Sequence, residues 1–301
     1  MGMRALVTGH RGWIGSNLTK LMRSEGHEVE GYDIDDDVRD DLFDVERLTD
    51  RMMEFRPHAV IHLAGYVDAA AAETDQFEAI RVNEHGTDNV LAAMTEARVR
   101  SIVFASSAAV YGQPVRTPIV ASAPVCPVGV YGRTKAHGEL AVRRWVEATP
   151  GAGMIVRLFN VVPDRGTVGQ PSTAGHVVNR LRHAAQTGEP FVINGRDWGT
   201  PDGTPVRDFV PMTDVIDGLH YAAEWATRQA NGEHETVNLG SGHGTSIEQL
   251  VEAAERVCGP VAVKYGERRP GDVARSVADM KHTDKVLRWA SGSIALEEIF
   301  V

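Results

Sequence analysis

The sequence predicts an α/β protein built on a doubly wound parallel sheet with a smaller substrate-binding lobe. Three observations carry this expectation. A glycine turn joins an apolar strand to an amphipathic helix near the start of the chain, strands and helices alternate through the first 160 residues, and that alternation weakens afterwards as Pro and Gly scatter through 163–205 and 240–271. Alternation of this kind places parallel strands in one sheet with helices on both faces. At 301 residues the chain also exceeds the roughly 100 to 200 residues of one core, so a second lobe is expected.

Arg4-Ala5-Leu6-Val7-Thr8 is a short apolar strand, after which Ile14, Leu18, Leu21 and Met22 recur at helical spacing until Gly26 stops the helix. Residues 28–33 read as the second strand, and Val45, Leu48, Met52 and Phe55 form the apolar stripe of the next helix. Residues 59–63 are the third strand. Phe77, Ile80, Val90, Leu91 and Met94 mark one long helix, followed by strands over 101–106 and 154–158. Beyond 160, a helix over 213–225 and a strand over 235–239 return the chain to the first lobe. The expected organisation is a nucleotide-binding lobe of 1–160 rejoined by 210–239, and a smaller lobe of 161–209 and 240–301. Ligands of such sheets lie beyond the carboxyl ends of the strands, so the positions after Val7, Asp33, Leu63, Phe104 and Leu158 are where chemistry is expected.

With 43% hydrophobic and 24% charged residues the chain is an ordinary globular protein. Its formal charge of −10 and pI of 5.6 argue against nucleic acid or an anionic membrane as partner. No apolar run approaches the ~18 to 20 residues of a membrane span, and the N-terminus lacks a signal-peptide core, so a cytoplasmic location is expected. Cys126 and Cys258 read as inert thiols, and the histidines show no metal-ligand spacing, so no metal is expected. His62 reads as a packed core side chain and 69–72 as an ordinary helix start.

Gly9-His10-Arg11-Gly12-Trp13-Ile14-Gly15 lies between a strand and a helix, where glycines let the backbone approach a pyrophosphate at the helix N-terminus. This makes the lobe Rossmann-like. Arg11, Trp13 and Ile14 count with Gly9, Gly12 and Gly15 as cofactor-site residues, with the Trp13 indole itself expected to pack. Asp33 follows Gly15 by eighteen positions (33 minus 15) and ends the second strand, where a carboxylate accepts hydrogen bonds from an adenosine ribose. That favours NAD over NADP. The acidic run 33–37 allows a plain solvated loop instead, and Arg11 is the counter-signal for a 2′-phosphate.

Tyr131 and Lys135 stand at i and i+4 on one helix face. A tyrosine of ordinary pKa ~10 acts as a base near neutrality only beside positive charge, which Lys135 and a bound nicotinamide can supply. Ser106-Ser107 follows the fourth strand in the same lobe, which adds a hydroxyl to this pair.

The glycine turn, Ser107 and the Tyr131/Lys135 pair together resemble the extended short-chain dehydrogenase/reductases. Arg157-Leu158-Phe159-Asn160, Asp202-Gly203-Thr204-Pro205-Val206-Arg207-Asp208-Phe209 and Arg268-Arg269-Pro270-Gly271-Asp272 resemble the UDP-galactose 4-epimerase family in particular. The resemblance implies Tyr131, Lys135 and Ser107 as catalytic residues. It implies adenine recognition by Asp41-Leu42, a cofactor-site buttress in Asn83, and further NAD contacts at Leu63, Ala64, Gly65, Ser106 and Phe159. On the substrate side it implies Asn160 as a contacting amide, Arg207, Arg269 and Asp272 on the diphosphate and ribose of UDP, and Phe191-Val192-Ile193 along uracil. His176 stands where asparagine often contacts the diphosphate, and Ser276 where a residue borders the hexose pocket.

The chain departs from the family at Val67 for a cofactor-contacting lysine, Ala109 for a hydroxyl residue and Leu158 for a tyrosine, and its last segment is short. Ala108 and Ala109 replace the acidic pair of 4,6-dehydratases. The resemblance implies a homodimer acting on a UDP-sugar: Tyr131 takes the O4 proton, NAD takes hydride from C4, and the 4-keto sugar turns to receive it on the other face. Two alternatives stay open, a related uronate epimerase or decarboxylase and a non-catalytic NAD-binding regulator.

Overall fold

The computed structural model describes residues 2–169, 171, 175–229, 232–269, 271–292 and 294–301. Pro270 of the third family motif lies outside them. The first lobe runs β1 (Arg4–Thr8), α1 (Trp13–Ser24), β2 (Glu28–Tyr32), α2 (Val45–Phe55) and β3 (Ala59–His62), then α3 (Ala69–Thr74), α4 (Gln76–Ile80), a π-turn (Arg81–His85) and α5 (Gly86–Glu96). It continues with β4 (Ser101–Ser107), a 3-10 turn (Ala108–Tyr111), α6 (Val130–Ala148) and β5 (Ala152–Leu158). The remaining elements are β6 (Asn160–Val162), α7 (Val177–Thr187), β7 (Phe191–Asn194), β8 (Val206–Pro211), α8 (Met212–Arg228), β9 (His234–Leu239), β10 (Gly244–Ser246), α9 (Ile247–Cys258), β11 (Val263–Gly266), β12 (Arg275–Ser276) and α10 (Lys281–Leu287).

Six parallel strands form the main sheet in the order β2-β1-β3-β4-β5-β9. The order reverses between β1 and β3, which opens a crevice beyond their carboxyl ends. Two layers of side chains explain the apolar strands: Ala5, Val7 and Ile61 pack with Leu18, Met22, Val215 and Leu219 on one face, and Leu6, Val60 and Ile102 with Leu48, Met94 and Val142 on the other. Both faces are covered, as a doubly wound sheet requires.

The helix expected across Phe77 to Met94 is interrupted. The π-turn breaks its 3.6-residue period, and Phe77 is 78% exposed, so that marker is not a core residue. The smaller lobe has its own core, in which Val162, Leu181, Phe191, Phe209 and Leu250 meet Phe300. α10 leaves that lobe, because Leu287 and Trp289 pack with the helices of the first. His62 is buried as expected, bonded to Thr8 at 2.7 Å and Thr87 at 3.1 Å.

Candidate active site

Gly9 leaves β1 at φ +71°, and a Cβ there would stand 2.6 Å from the Ala64 nitrogen. A Cβ on Gly15 would meet the Gly9 carbonyl at 2.2 Å, so the turn closes only with glycine at both positions. α1 starts at Gly12 without a side-chain cap, which leaves its first N–H groups for an anionic ligand. The Asp33 carboxylate, just beyond β2, accepts the Arg11 N–H at 2.8 Å and the Asp35 N–H at 3.1 Å. It ties the glycine turn to the ribose end while facing the cleft.

Tyr131 sits in the first turn of α6. That turn is held from outside, since Gly129 offers no capping side chain and Glu73 accepts the Val130 N–H at 2.6 Å. Ser107 ends β4, accepts the Ala109 N–H at 3.2 Å and lines the cleft with Tyr131. Burial pushes the phenol above its ordinary value, and the neighbouring Ser107 hydroxyl opposes that rise. Lys135 is 5% exposed, donates to the Ala105 carbonyl at 3.1 Å, and is held down to about 8 by burial. Its Nζ stands 6.0 Å from the centre of the Tyr131 ring. At that separation burial is the larger influence on the phenol.

One cleft of about 1010 Å³ joins these groups. Of the expected cofactor residues, Gly9, Gly12, Trp13, Ile14, Gly15, Asp33, Asp41, Leu42, Leu63, Ala64, Gly65, Ser106 and Phe159 line it with the catalytic three. So do Asn160, His176, Phe191, Ile193, Arg207, Arg269 and Asp272 from the substrate set. Trp13 both lines the cleft and packs, edge-on to His176 with ring centres 6.0 Å apart.

Several assignments change in detail. Arg11 does not line the cleft, because its guanidinium pairs with Asp36 at 2.8 Å. Asn83 lies behind the wall in the π-turn, spanning the Tyr66 N–H at 2.7 Å, the Tyr66 carbonyl at 3.0 Å and Thr134 at 2.9 Å. It therefore fixes the backbone beside Gly65 rather than touching a ligand. The Ser106 hydroxyl turns inward to Glu139 at 2.6 Å. His176 has both ring nitrogens on backbone, donating to the Val161 carbonyl at 2.9 Å and accepting the Val178 N–H at 3.4 Å, and burial lowers its pKa below the ordinary imidazole value. Ser276 pairs in register with Arg207 and its short side chain forms no part of the wall.

Three contributors escaped the sequence. Glu73 is set by a tertiary contact with no local signature. Glu139 joins the Arg157 fork at 2.7 and 2.6 Å beneath Ser106, and only the family-like Arg157 hinted at it. Arg180, four positions after His176 on α7, lines the cleft and belongs to no motif. Among the described residues, Glu25, His27 and His220 are close enough to hold a metal, but the His27 Nδ1 already accepts the Met3 N–H at 2.9 Å. No described helix is long and apolar enough to cross a membrane.

The description of the NAD dependent epimerase/dehydratase family matches residues 5–240. A UDP-glucose 4-epimerase of Corynebacterium glutamicum is 32% identical, with 95% of this chain and 90% of that protein covered. Among solved structures, UDP-glucose 4-epimerase from Brucella ovis in complex with NAD superposes with a TM-score of 0.91 at 29% identity, covering 99% of this chain and 96% of that one. The Bifidobacterium longum enzyme in complex with NAD+ and UDP gives 0.89 at 26% identity, covering 99% and 96%.

Proposed function

Because the chain belongs to the NAD dependent epimerase/dehydratase family, we propose that it is an NAD-dependent UDP-hexose 4-epimerase interconverting UDP-glucose and UDP-galactose. The observation that carries this reading is the meeting of Ser107, Tyr131 and Lys135 in one cleft with the glycine turn and with Arg207 and Arg269. The uncapped start of α1 and the glycine-only turn fit NAD, with the pyrophosphate on the α1 N-terminus, the ribose at Asp33 and the nicotinamide ribose at Lys135. When bound, NAD supplies the hydride acceptor and donor for C4 of the sugar.

The protein's own groups do the rest. Tyr131, as the phenolate that Lys135 and the positive charge of a bound nicotinamide would favour, takes the O4 proton beside the Ser107 hydroxyl and, as the phenol, returns it when the 4-keto sugar is reduced. Arg207 and Arg269 anchor the diphosphate by charge-assisted bonds, which an acidic protein of net charge −10 needs locally. The hexose, held through its diphosphate, is free to turn between faces.

The reading extends to UDP-GlcNAc and UDP-GalNAc on the family resemblance at Ser276, a small residue on β12 beside Arg207 that stays outside the cleft wall, where a larger side chain would reach inward. It also includes a homodimer, supported by Phe77 on α4 and Leu140 on α6, which stand 78% and 46% exposed. Incubating the purified protein with each of the four UDP-sugars tests the substrate claim. Conversion within both pairs is expected, with Ser276→Tyr reducing only the acetamido pair. Loss of both pairs in that variant would remove the Ser276 assignment, and release of a UDP-pentose from UDP-glucuronate would favour a decarboxylase instead.

A further inference from the structure

Arg180 lines the cleft beside Arg207 and Arg269, and its guanidinium carbon lies 4.9 Å from the centre of the Phe191 ring. Among the described residues it donates one hydrogen bond, a long one of 3.4 Å to the Val192 carbonyl. Three other arginines of the cleft and its base face carboxylates: Arg81 meets Glu78 at 2.7 Å, Arg157 meets Glu139 at 2.6 Å and Arg207 meets Asp272 at 3.4 Å. Arg180 has no carboxylate partner among the described residues, and the charge it feels is the like charge of Arg269. Burial and that neighbour both depress its pKa. A half-buried cation without a counter-charge is a cost that the fold retains only if something compensates it.

We propose that Arg180 is a third cation of the diphosphate subsite, joining Arg207 and Arg269, with its planar stem laid on Phe191 so that one residue ties the base-binding strand to the phosphates. This rests on the UDP-sugar reading above. A guanidinium stacked on an aromatic face keeps its N–H edge free, which is the geometry that allows a fork to a phosphate oxygen. Lysine in the same place would supply charge without the fork.

Calorimetric titration of the NAD-loaded protein with UDP, alongside a saturation-transfer NMR titration with uridine, tests the assignment. Arg180→Met is expected to raise the Kd for UDP about tenfold or more, the size of one charge-assisted contact. Uridine affinity should change by less than about twofold, UDP binding should become less salt-sensitive, and Arg180→Lys should restore part of the affinity. Equal losses for UDP and uridine would show that Arg180 only supports Phe191, and an unchanged UDP affinity would remove it from the subsite. Failure of the unsubstituted protein to bind UDP would overturn the UDP-sugar reading itself, and this assignment with it.

Discussion

On the proposed reading Tyr131 is the proton acceptor, and its surroundings define what a single substitution does. Tyr131→Phe keeps the ring against the core and removes the proton acceptor, so turnover should fall about 10²- to 10⁴-fold while NAD content and thermal stability hold. Steady-state kinetics with denaturation-released NAD as control would check this. His62 gives a test of a different kind. Burial holds its imidazole at about 3 against an ordinary 6.5, so the neutral ring contributes stability that is fully present above about pH 6.5 and is lost as pH falls towards 3. Denaturant midpoints between pH 6.5 and 4 should fall with a slope approaching one proton, about 1.4 kcal/mol per pH unit, and His62→Gln should flatten that limb. A variant with the same slope would mean that other groups set the acid limit. Tyr131, Lys135, Ser107 and Asp33 were legible in the sequence because their chemistry demands fixed residue types at fixed places along strands and helices. Arg180 was not, since a lone arginine on an amphipathic helix has no signature until the fold sets it beside Phe191 and Arg269.

Among the elements, α6 shows how a catalytic side chain is aimed by a neighbour. Its N-terminus lacks a cap of its own, and Glu73 places a carboxylate there, which satisfies the Val130 N–H and complements the helix dipole. Glu73→Ala should cost about 1 kcal/mol of stability and lower kcat more than it raises KM, because the loosened turn carries Tyr131. Glu73→Gln, which keeps an acceptor, should recover most of both; no recovery would assign the role to charge alone. The strands of the main sheet were readable as continuous apolar runs with chemistry at their ends. The π-turn was not readable, because an apolar pattern reports burial and not hydrogen-bond register, and Phe77 looked like core by type alone. Yet that turn carries Asn83, whose two bonds to the Tyr66 backbone and one to Thr134 tie the wall beside Gly65 to α6.

Across the whole molecule, the proposed reading divides the labour: the parallel sheet would carry acid–base chemistry and the dinucleotide, and the segments packed around the second core would supply cations. The sequence offers the fading of alternation near residue 160 as the sign of such a division, whereas the packing of Leu287, at the end of α10, with the helices over the main sheet was hidden in a segment too short to show its own period. Below the cleft, the buried Ser106–Glu139–Arg157 network ties β4, α6 and β5 together. The central claim is that hydride leaves C4 of a UDP-hexose for bound NAD and that the same hydride returns to the other face. Incubation of the protein with UDP-glucose deuterated at C4, in ordinary water and without added cofactor, tests it most directly. The account predicts UDP-galactose that retains deuterium at C4, with Tyr131→Phe suppressing its formation. Deuterium lost to solvent would mean proton abstraction at carbon, label found at C6 would mean a dehydratase, and either result would contradict the account.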